Sequence, residues 1–235
     1  MSAPLIDLRM ENRVAHLLLA RPGAANAFTG AMLAELLAAL SRAAAEADIL
    51  LIRAAGADFS LGRDRQEPRS GSPYEAFRLI SDVNSALATF PGIAVSAVQG
   101  RAYGFAVGLV MRSDIALAAD DARFALDEVK LGIPPMFIMA ELLEHLPAKA
   151  ALDIVLSSRE FTAHEAKDMG LVSRVVPGPG LAAAAEALVR ELAARDPAVL
   201  RASKRYLGEV RELPAAARAA YALVEQTRFA ERSRH

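Results

Sequence analysis

The sequence contains no cysteine. That absence removes disulfides, thiolate metal sites and a cysteine nucleophile together. It also fits a reducing compartment, and a cytoplasmic location is the expectation. Histidine is scarce: His16 falls in an expected strand, His145 and His164 near expected helix ends, and His235 at the terminus. None of these spacings gathers metal ligands on one element, so no metal is expected. Charge of one sign is lacking as well. Lysine and arginine number 27 against 28 acidic residues, a formal net charge of -1. Such a balance provides no large basic face, and nucleic acid is not an expected partner. No apolar run approaches the roughly 20 residues needed to span a bilayer, so no membrane partner is expected. The opening "MSAPLIDLRMENRV" carries acids early and no apolar segment, which excludes a signal peptide from the reading. The sequence shows no linker, no internal repeat and no low-complexity tail beyond "RSRH".

What is present is a chain of 235 residues, 54% hydrophobic, enough for one sizeable core. "LIDLRMENRVAHLLLAR" alternates at Ile6, Leu8 and Met10, turns at Glu11-Asn12 and resumes at Val14, the pattern of an antiparallel hairpin. Thr29 is placed to cap a helix whose apolar face is Met32, Leu33, Leu36, Leu37 and Leu40. "DILLIRA" and "GIAVSAVQG" read as buried strands, "DIALAAD" and "ARFALDEV" as two more, and "LVSRVVP" as the last. A helix is expected over 75–89. Others are expected over 136–146, 148–157 and 163–169, and three alanine-rich helices from Leu181 onward, punctuated by Pro197 and Pro214. Residues 65–74, "RQEPRSGSPY", read as a mobile surface loop or lid. The order of elements suggests an α/β fold with helix-covered sheets.

Two glycine-punctuated stretches have the makings of a site. In "GADFSLGRD", Gly62 permits a backbone turn that leaves the Arg63 N–H free to point into a cavity. In "QGRAYGFAVGLVMRSD", Gly100 ends a strand and Gly104 opens a helix, whose first N–H groups are unpaired and lie at the positive end of its dipole. An N–H so placed can hold a developing oxyanion. Taken singly, the first stretch is equally an ordinary strand-to-helix turn, and the second equally a close helix–strand contact.

Taken in order with "ARPGAANAF", with "SDIALAADDARFALDEVKLGIPP" and with "EFTAHEAKDMGLVSRVV", these stretches resemble the enoyl-CoA hydratase/isomerase family, the crotonase superfamily, over about residues 5 to 210. The resemblance implies a crotonase-like spiral of ββα units. Residues 1–180 would form the acyl-CoA-binding and catalytic core, and residues 181–235 a helical region for assembly into a homotrimer or a dimer of trimers. It implies an acyl-CoA thioester substrate and no separate cofactor, coenzyme A being part of the substrate. The backbone N–H groups of Arg63 and Phe105 would form the oxyanion hole, and Glu128 would be the catalytic acid/base. Arg21, Ala25, Ala27, Ser60, Leu61, Gly104, Gly108 and Met136 would contact the CoA ester. Arg21, Arg63 and Arg65 would be the charged partners for phosphates.

The departures from the family pattern carry as much information. Family hydratases place a second carboxylate where this chain has Gly108. With one carboxylate, a proton shuttle between two carbons is the simpler chemistry, which points to double-bond isomerisation. The alternatives are hydration or other enolate chemistry through an acid elsewhere, with Glu141 the first suspect, or a CoA-ester-binding protein without turnover. Met136 replaces the nucleophilic aspartate of the family's dehalogenases, which argues against that branch. Glu128 is expected in an apolar pocket between Phe105, Leu126 and Met136, and the Phe105 ring is expected to narrow the acyl pocket.

Overall fold

The computed structural model describes residues 4–68 and 71–232. The chain begins with the expected hairpin, β1 (Ile6–Glu11) and β2 (Val14–Leu19). Its turn lies one residue later than expected: Asn12 and Arg13 both take positive φ, 47° and 62°. A two-residue turn of that hand matches the twist of the strands it joins.

Helix α1 (Gly30–Glu46) follows, then β3 (Ile49–Ala54), α2 (Pro73–Ala88), β4 (Ile93–Val98), β5 (Arg101–Tyr103), α3 (Phe105–Arg112), β6 (Ile115–Ala119) and β7 (Arg123–Ala125). The remainder is α4 (Met136–Leu142), α5 (Ala148–Ser157), β8 (Glu160–Thr162), α6 (Ala163–Asp168), β9 (Arg174–Val176), α7 (Leu181–Ala193), α8 (Pro197–Arg211) and α9 (Ala215–Arg232).

Six strands form the main sheet in the order β1-β2-β3-β4-β6-β9, parallel from β2 onward. Every residue of β4 is buried, as a parallel strand covered on both faces requires. Thr29 caps α1 as expected, its hydroxyl accepting from Met32 N–H at 3.1 Å. Met32, Leu33, Leu36 and Leu40 are buried on the sheet side, whereas Leu37 is only half-buried.

Of the second, small sheet, β5-β7-β8, only β7 was among the sequence expectations, within "ARFALDEV". Its strands are three residues each, too short to display a period. The strand expected through "ARFALDEV" stops at Ala125. Asp127 leaves the extended region at φ -100°, ψ 8°, and Glu128–Leu131 form one tight 3-10 turn ended by Gly132 in the left-handed region. Glu128 therefore stands on a turn and not on a strand, and it is aimed by that turn.

The segment 65–74 includes residues 69 and 70, which lie outside the described residues, so its reading as a lid falls partly there. Its first half is anchored: Glu67 accepts from Gly30 N–H at 2.8 Å and from Arg63 Nη2 at 2.9 Å.

Helix α7 packs Leu181, Ala185, Leu188 and Val189 into the core, but α8 and α9 bury no residue. Polar ties hold α8 to the body: Lys204 Nζ donates to the Phe90 and Gly92 carbonyls at 2.8 and 3.0 Å and pairs with Asp114 at 2.7 Å. Helix α9 leans on α8 through the stacked rings of Tyr206 and Tyr221, 5.8 Å apart, and through Arg205–Glu225. Among the described residues no helix is long and apolar enough to cross a membrane.

Candidate active site

Three segments converge where α3 begins. The first is the 21–28 loop. Asn26 is fully buried at a positive φ of 52°, a conformation its short amide side chain tolerates. Its Oδ1 accepts from Arg21 N–H at 2.9 Å, and its Nδ2 donates to the carbonyls of Ala55 at 2.8 Å and Asp58 at 2.9 Å. The Asn26 carbonyl accepts from Ser60 Oγ at 2.8 Å, and Ser60 Oγ accepts in turn from Gly62 N–H at 3.0 Å. Leu61 N–H donates to the Ala25 carbonyl at 3.1 Å. Asn26 thus fastens the first segment to the second. The sequence reading placed it within the family-like "ARPGAANAF" loop but gave it no role, although an asparagine after a Pro-Gly turn is a residue type suited to left-handed backbone.

The second segment, residues 58–63, runs beside residues 99–103. Phe59 and Ser60 N–H donate to the Gln99 and Arg101 carbonyls at 2.9 and 3.0 Å, and Tyr103 N–H donates to the Ser60 carbonyl at 2.9 Å. This ladder carries Gly62 against the start of α3. Gly62 has φ +77°, and a Cβ there would stand 2.7 Å from the Tyr103 carbonyl oxygen and 3.4 Å from Phe105 N. Only glycine permits both that backbone and that approach. Phe28 N–H donates to the Gly62 carbonyl at 2.7 Å, and Asp64 N–H donates to the Phe28 carbonyl at 2.9 Å. Among the described residues the N–H of Arg63, between them, has no acceptor.

The third segment is the Gly104 turn. Gly104 has φ 51° and ψ -120°, and its N–H donates to the Ala125 carbonyl at 2.8 Å. Phe105, the first residue of α3, has an N–H without an intrahelical acceptor. Its ring is 6% exposed and packs edge-on against Phe28, with centroids 5.0 Å apart, in the core that joins the first segment to α3.

Glu128 lies directly over this turn. A Cβ on Gly104 would be 2.7 Å from Glu128 Oε1. The other carboxylate oxygen, Oε2, is buried without a hydrogen-bond partner among the described residues. Burial pushes the carboxyl above its ordinary range; its own N–H and Arg65 pull the other way, and neighbouring Asp127 adds to the rise. Asp127 itself is ion-paired with Arg65.

Of the apolar neighbours expected for Glu128, Leu126 and Phe105 are buried, but Met136, at the head of α4, is 70% exposed. Within this chain Met136 does not close the site, because α4 buries Ile138 and Leu142 instead.

At Gly108 a cation stands where the second carboxylate was missed. A Cβ on Gly108 would be 2.8 Å from Arg112 Nη1. Arg112, four residues on, folds back over the turn, donates to the Gly108 carbonyl at 3.1 Å and pairs with Glu141 of α4. Glu141 thus reaches the neighbourhood of α3, but it is held by Arg112.

The three arginines expected to meet phosphates have internal partners. Arg21 Nη1 reaches Asp64 and the Ala27 carbonyl, both at 2.6 Å, and Arg63 reaches the Phe28 carbonyl and Glu67. Arg65 holds Asp127. They join the first segment to the second and, through Arg65, tie the chain just after the second to the turn that carries Glu128. An expected result follows: Arg21→Ala, which frees Asp64 and the Ala27 carbonyl, lowers the melting temperature by several degrees, as thermal denaturation will show.

A parallel sheet whose crossovers deliver two glycine turns and a buried carboxylate to the head of one short helix is the crotonase fold. The chain belongs to the enoyl-CoA hydratase/isomerase family, whose model matches residues 9–233. It is 31% identical over 206 residues to the enoyl-CoA hydratase EchA19 of Mycobacterium tuberculosis, covering 83% of this chain and 76% of that one. Among solved structures it superposes on an enoyl-CoA hydratase of Mycobacterium smegmatis with a TM-score of 0.88 and 30% identity, over 96% of this chain and 90% of that one. A candidate enoyl-CoA hydratase of Thermobifida fusca, solved in complex with CoA, aligns with a TM-score of 0.86 and 28% identity over 99% and 95% of the two chains. The protein is an acyl-CoA enzyme of this family.

Proposed function

We propose that this acyl-CoA enzyme moves a carbon–carbon double bond, converting 3-enoyl-CoA to 2-enoyl-CoA with Glu128 as its single acid/base. The thioester carbonyl oxygen sits between the N–H groups of Arg63 and Phe105. Glu128 takes the proton from the α-carbon, and the electrons of that C–H bond pass into a dienolate whose negative oxygen the two N–H groups stabilise. The now-protonated Glu128 returns the proton to the γ-carbon. The dienolate collapses to the conjugated ester, and Glu128 is again ionised. A carboxyl raised by burial suits both halves of this exchange near neutral pH. The Arg21–Ala27 loop and Ser60, Leu61, Gly104, Gly108 and Met136 are the proposed CoA-ester contacts.

The observation that carries this reading is the asymmetry of the α3 face. Among the described residues Glu128 lies over Gly104 with Oε2 unpartnered; Glu141 also has an Oε2 without a hydrogen bond, but it is ion-paired with Arg112, whose Nη1 stands against Gly108. Hydration needs a second group to manage the water. The relatives named as hydratases favour the rival reading, with Glu141 as the second acid, but Glu141 is tied to Arg112. Assay of matched 2-enoyl- and 3-enoyl-CoA esters decides. The expected result is isomerisation faster than hydration. Hydration of crotonyl-CoA at about 1–10³ per second, rates ordinary for enzymes, would overturn the reading.

Gly108→Glu is expected to leave hydration unrestored. The new carboxylate would sit at i to Arg112 at i+4, within reach of its guanidinium. It would pair there instead of holding water.

Assembly as a homotrimer or dimer of trimers is the proposed quaternary state. Helices α8 and α9 have no fully buried residue, and Leu207 and Leu223 are 68% and 71% exposed. Apolar surface of this kind tends to be covered by another subunit. Light scattering at micromolar concentration is expected to give three or six chains, and a monomer would refute it.

A further inference from the structure

The sequence expectation for Arg65 is a phosphate contact, but the partner it has in the structure points elsewhere. The residues around it form a fixed platform. Arg63 donates to the Phe28 carbonyl and to Glu67, and Glu67 accepts from Gly30 N–H. Asp64 accepts from Arg21 and from Gln66 N–H at 2.8 Å. The Arg65 side chain leaves this knot and pairs with Asp127, the residue immediately before Glu128. Asp127 opens the 3-10 turn Glu128–Leu131, yet its side chain makes no capping hydrogen bond to that turn. An aspartate in such a place ordinarily accepts from the N–H groups that follow it. Here the carboxylate, 18% exposed, is given to a cation two residues beyond the proposed first oxyanion donor. The far end of the turn is fixed separately. Lys130 Nζ donates to the carbonyl of the buried Ser158 at 2.6 Å, and Ile133 N–H donates to the Glu128 carbonyl at 3.0 Å. The near end, where Glu128 stands, is tied from outside by Arg65.

We propose that Arg65 is a positioning residue for the isomerisation: through Asp127 it fixes the Glu128 carboxylate relative to the Arg63 N–H, and it cancels a negative charge beside that carboxylate. The inference rests on the reading of Glu128 as the base and deepens it. Two residues of chain join the Arg63 donor to Arg65, and one peptide bond joins Asp127 to Glu128. The ion pair closes the gap between these two short stretches, so donor and base are held to one another. A half-exposed pair of this kind contributes little to folding. Its effect on rate is larger, because a displacement of about 1 Å between groups that must act together costs up to about a hundredfold. The charge has an effect of its own. Among the described residues the charged groups that act on Glu128 are Asp127, which raises its carboxyl, and Arg65, which lowers it. Removing either one leaves the other unopposed.

Steady-state isomerisation of a 3-enoyl-CoA ester, followed across the acid limb of the pH profile, separates the tether from the charge. Arg65→Met is expected to lower kcat on the pH plateau by about ten- to a hundredfold with KM little changed. It is also expected to move the acid limb of kcat/KM to higher pH, because the unopposed Asp127 charge makes Glu128 harder to ionise. Asp127→Asn keeps an acceptor for Arg65, so its loss of kcat is expected to be smaller, and its acid limb is expected to move the other way, to lower pH. The double variant Arg65→Met/Asp127→Asn removes both charges and the tether. Its limb is expected to return toward that of the wild type while kcat stays low. Arg65→Lys keeps the charge and is expected to keep the wild-type limb. Thermal melts confirm that each variant is folded; a merely structural contact would change the melting temperature and leave the limb in place. A raised KM with kcat and limb unchanged in Arg65→Met, the signature of a lost phosphate contact, would overturn the positioning role. So would a limb that stays in place in both single variants or moves the same way in both. Each of these results leaves Glu128 as the base. A wild type that does not isomerise the ester would overturn both readings.

Discussion

Glu128→Gln lowers the isomerisation rate by about two to four orders of magnitude while saturated acyl-CoA esters bind as they do to the wild type. Glutamine keeps the shape of the side chain over Gly104 but cannot accept and return a proton. The same substitution raises the melting temperature at pH 7 to 8. The sign follows from linkage. Burial raises the folded-state pKa of Glu128 above its unfolded value, so the folded protein holds this proton more tightly than the unfolded chain. The stability that proton confers is complete below the unfolded pKa and is lost as pH rises through the folded one. Above that point a buried charge without a hydrogen-bond partner on Oε2 opposes folding, and glutamine removes it. The wild-type rate should correspondingly rise with pH through a midpoint above the ordinary glutamate range, because the base must be ionised to begin. A pH–rate profile with its acid limb at an unshifted glutamate pKa, or a variant of wild-type activity, would rule out Glu128 as the base.

Gly104→Ala lowers kcat by at least about two to three orders of magnitude, the cost of losing one oxyanion donor. Two effects converge there. At φ 51°, ψ -120° an L-residue is held in a region essentially reserved for glycine, and strain of about 1–3 kcal/mol is relieved by rotating the turn. That rotation carries the Phe105 N–H with it. The new methyl also stands 2.7 Å from Glu128 Oε1, and the carboxylate, as the flexible partner, moves aside. Donor and base are displaced together. Stopped-flow or steady-state assay of 3-enoyl-CoA, with far-UV circular dichroism to confirm folding, gives the measure. A variant within threefold of the wild-type rate would show that neither group needs its present position.

The departures at two positions of this site have different physical standing. Phe105 stands at the proposed second donor position, yet the proposed role needs only its N–H, and its ring is absorbed by an edge contact with Phe28. A backbone donor is indifferent to what its side chain does elsewhere. Gly108 is the opposite case. There the missing side chain is itself the change, and the residue four positions on in the same helix has taken the space.

Some of this was legible before any coordinates. The hairpin, the buried parallel strands and the amphipathic α1 declare themselves by period, because alternation and the 3.6-residue stripe are local consequences of which face is dry. Gly62 and Gly104 were legible too: the backbone they adopt is forbidden to other residues, so their identity marks the turn. The order of the glycine loops and of the segment bearing Glu128 was enough to point to the family. What lay beyond reach was set by contacts between segments remote in sequence. The three-residue strands β5 and β8 exist only because each pairs with β7. Asn26 matters through bonds to residues about thirty positions away. Arg21, Arg63 and Arg65 read as free cations until folding brings Asp64, Glu67 and Asp127 beside them. Arg112 is the clearest instance. In the sequence it is a polar residue closing an apolar helix. Only the packing of α4 against α3 supplies Glu141, and that partner holds the guanidinium over Gly108. Period and backbone permission are properties of short stretches and can be read one stretch at a time. The partner of a buried charge is chosen by tertiary proximity, which no single stretch contains.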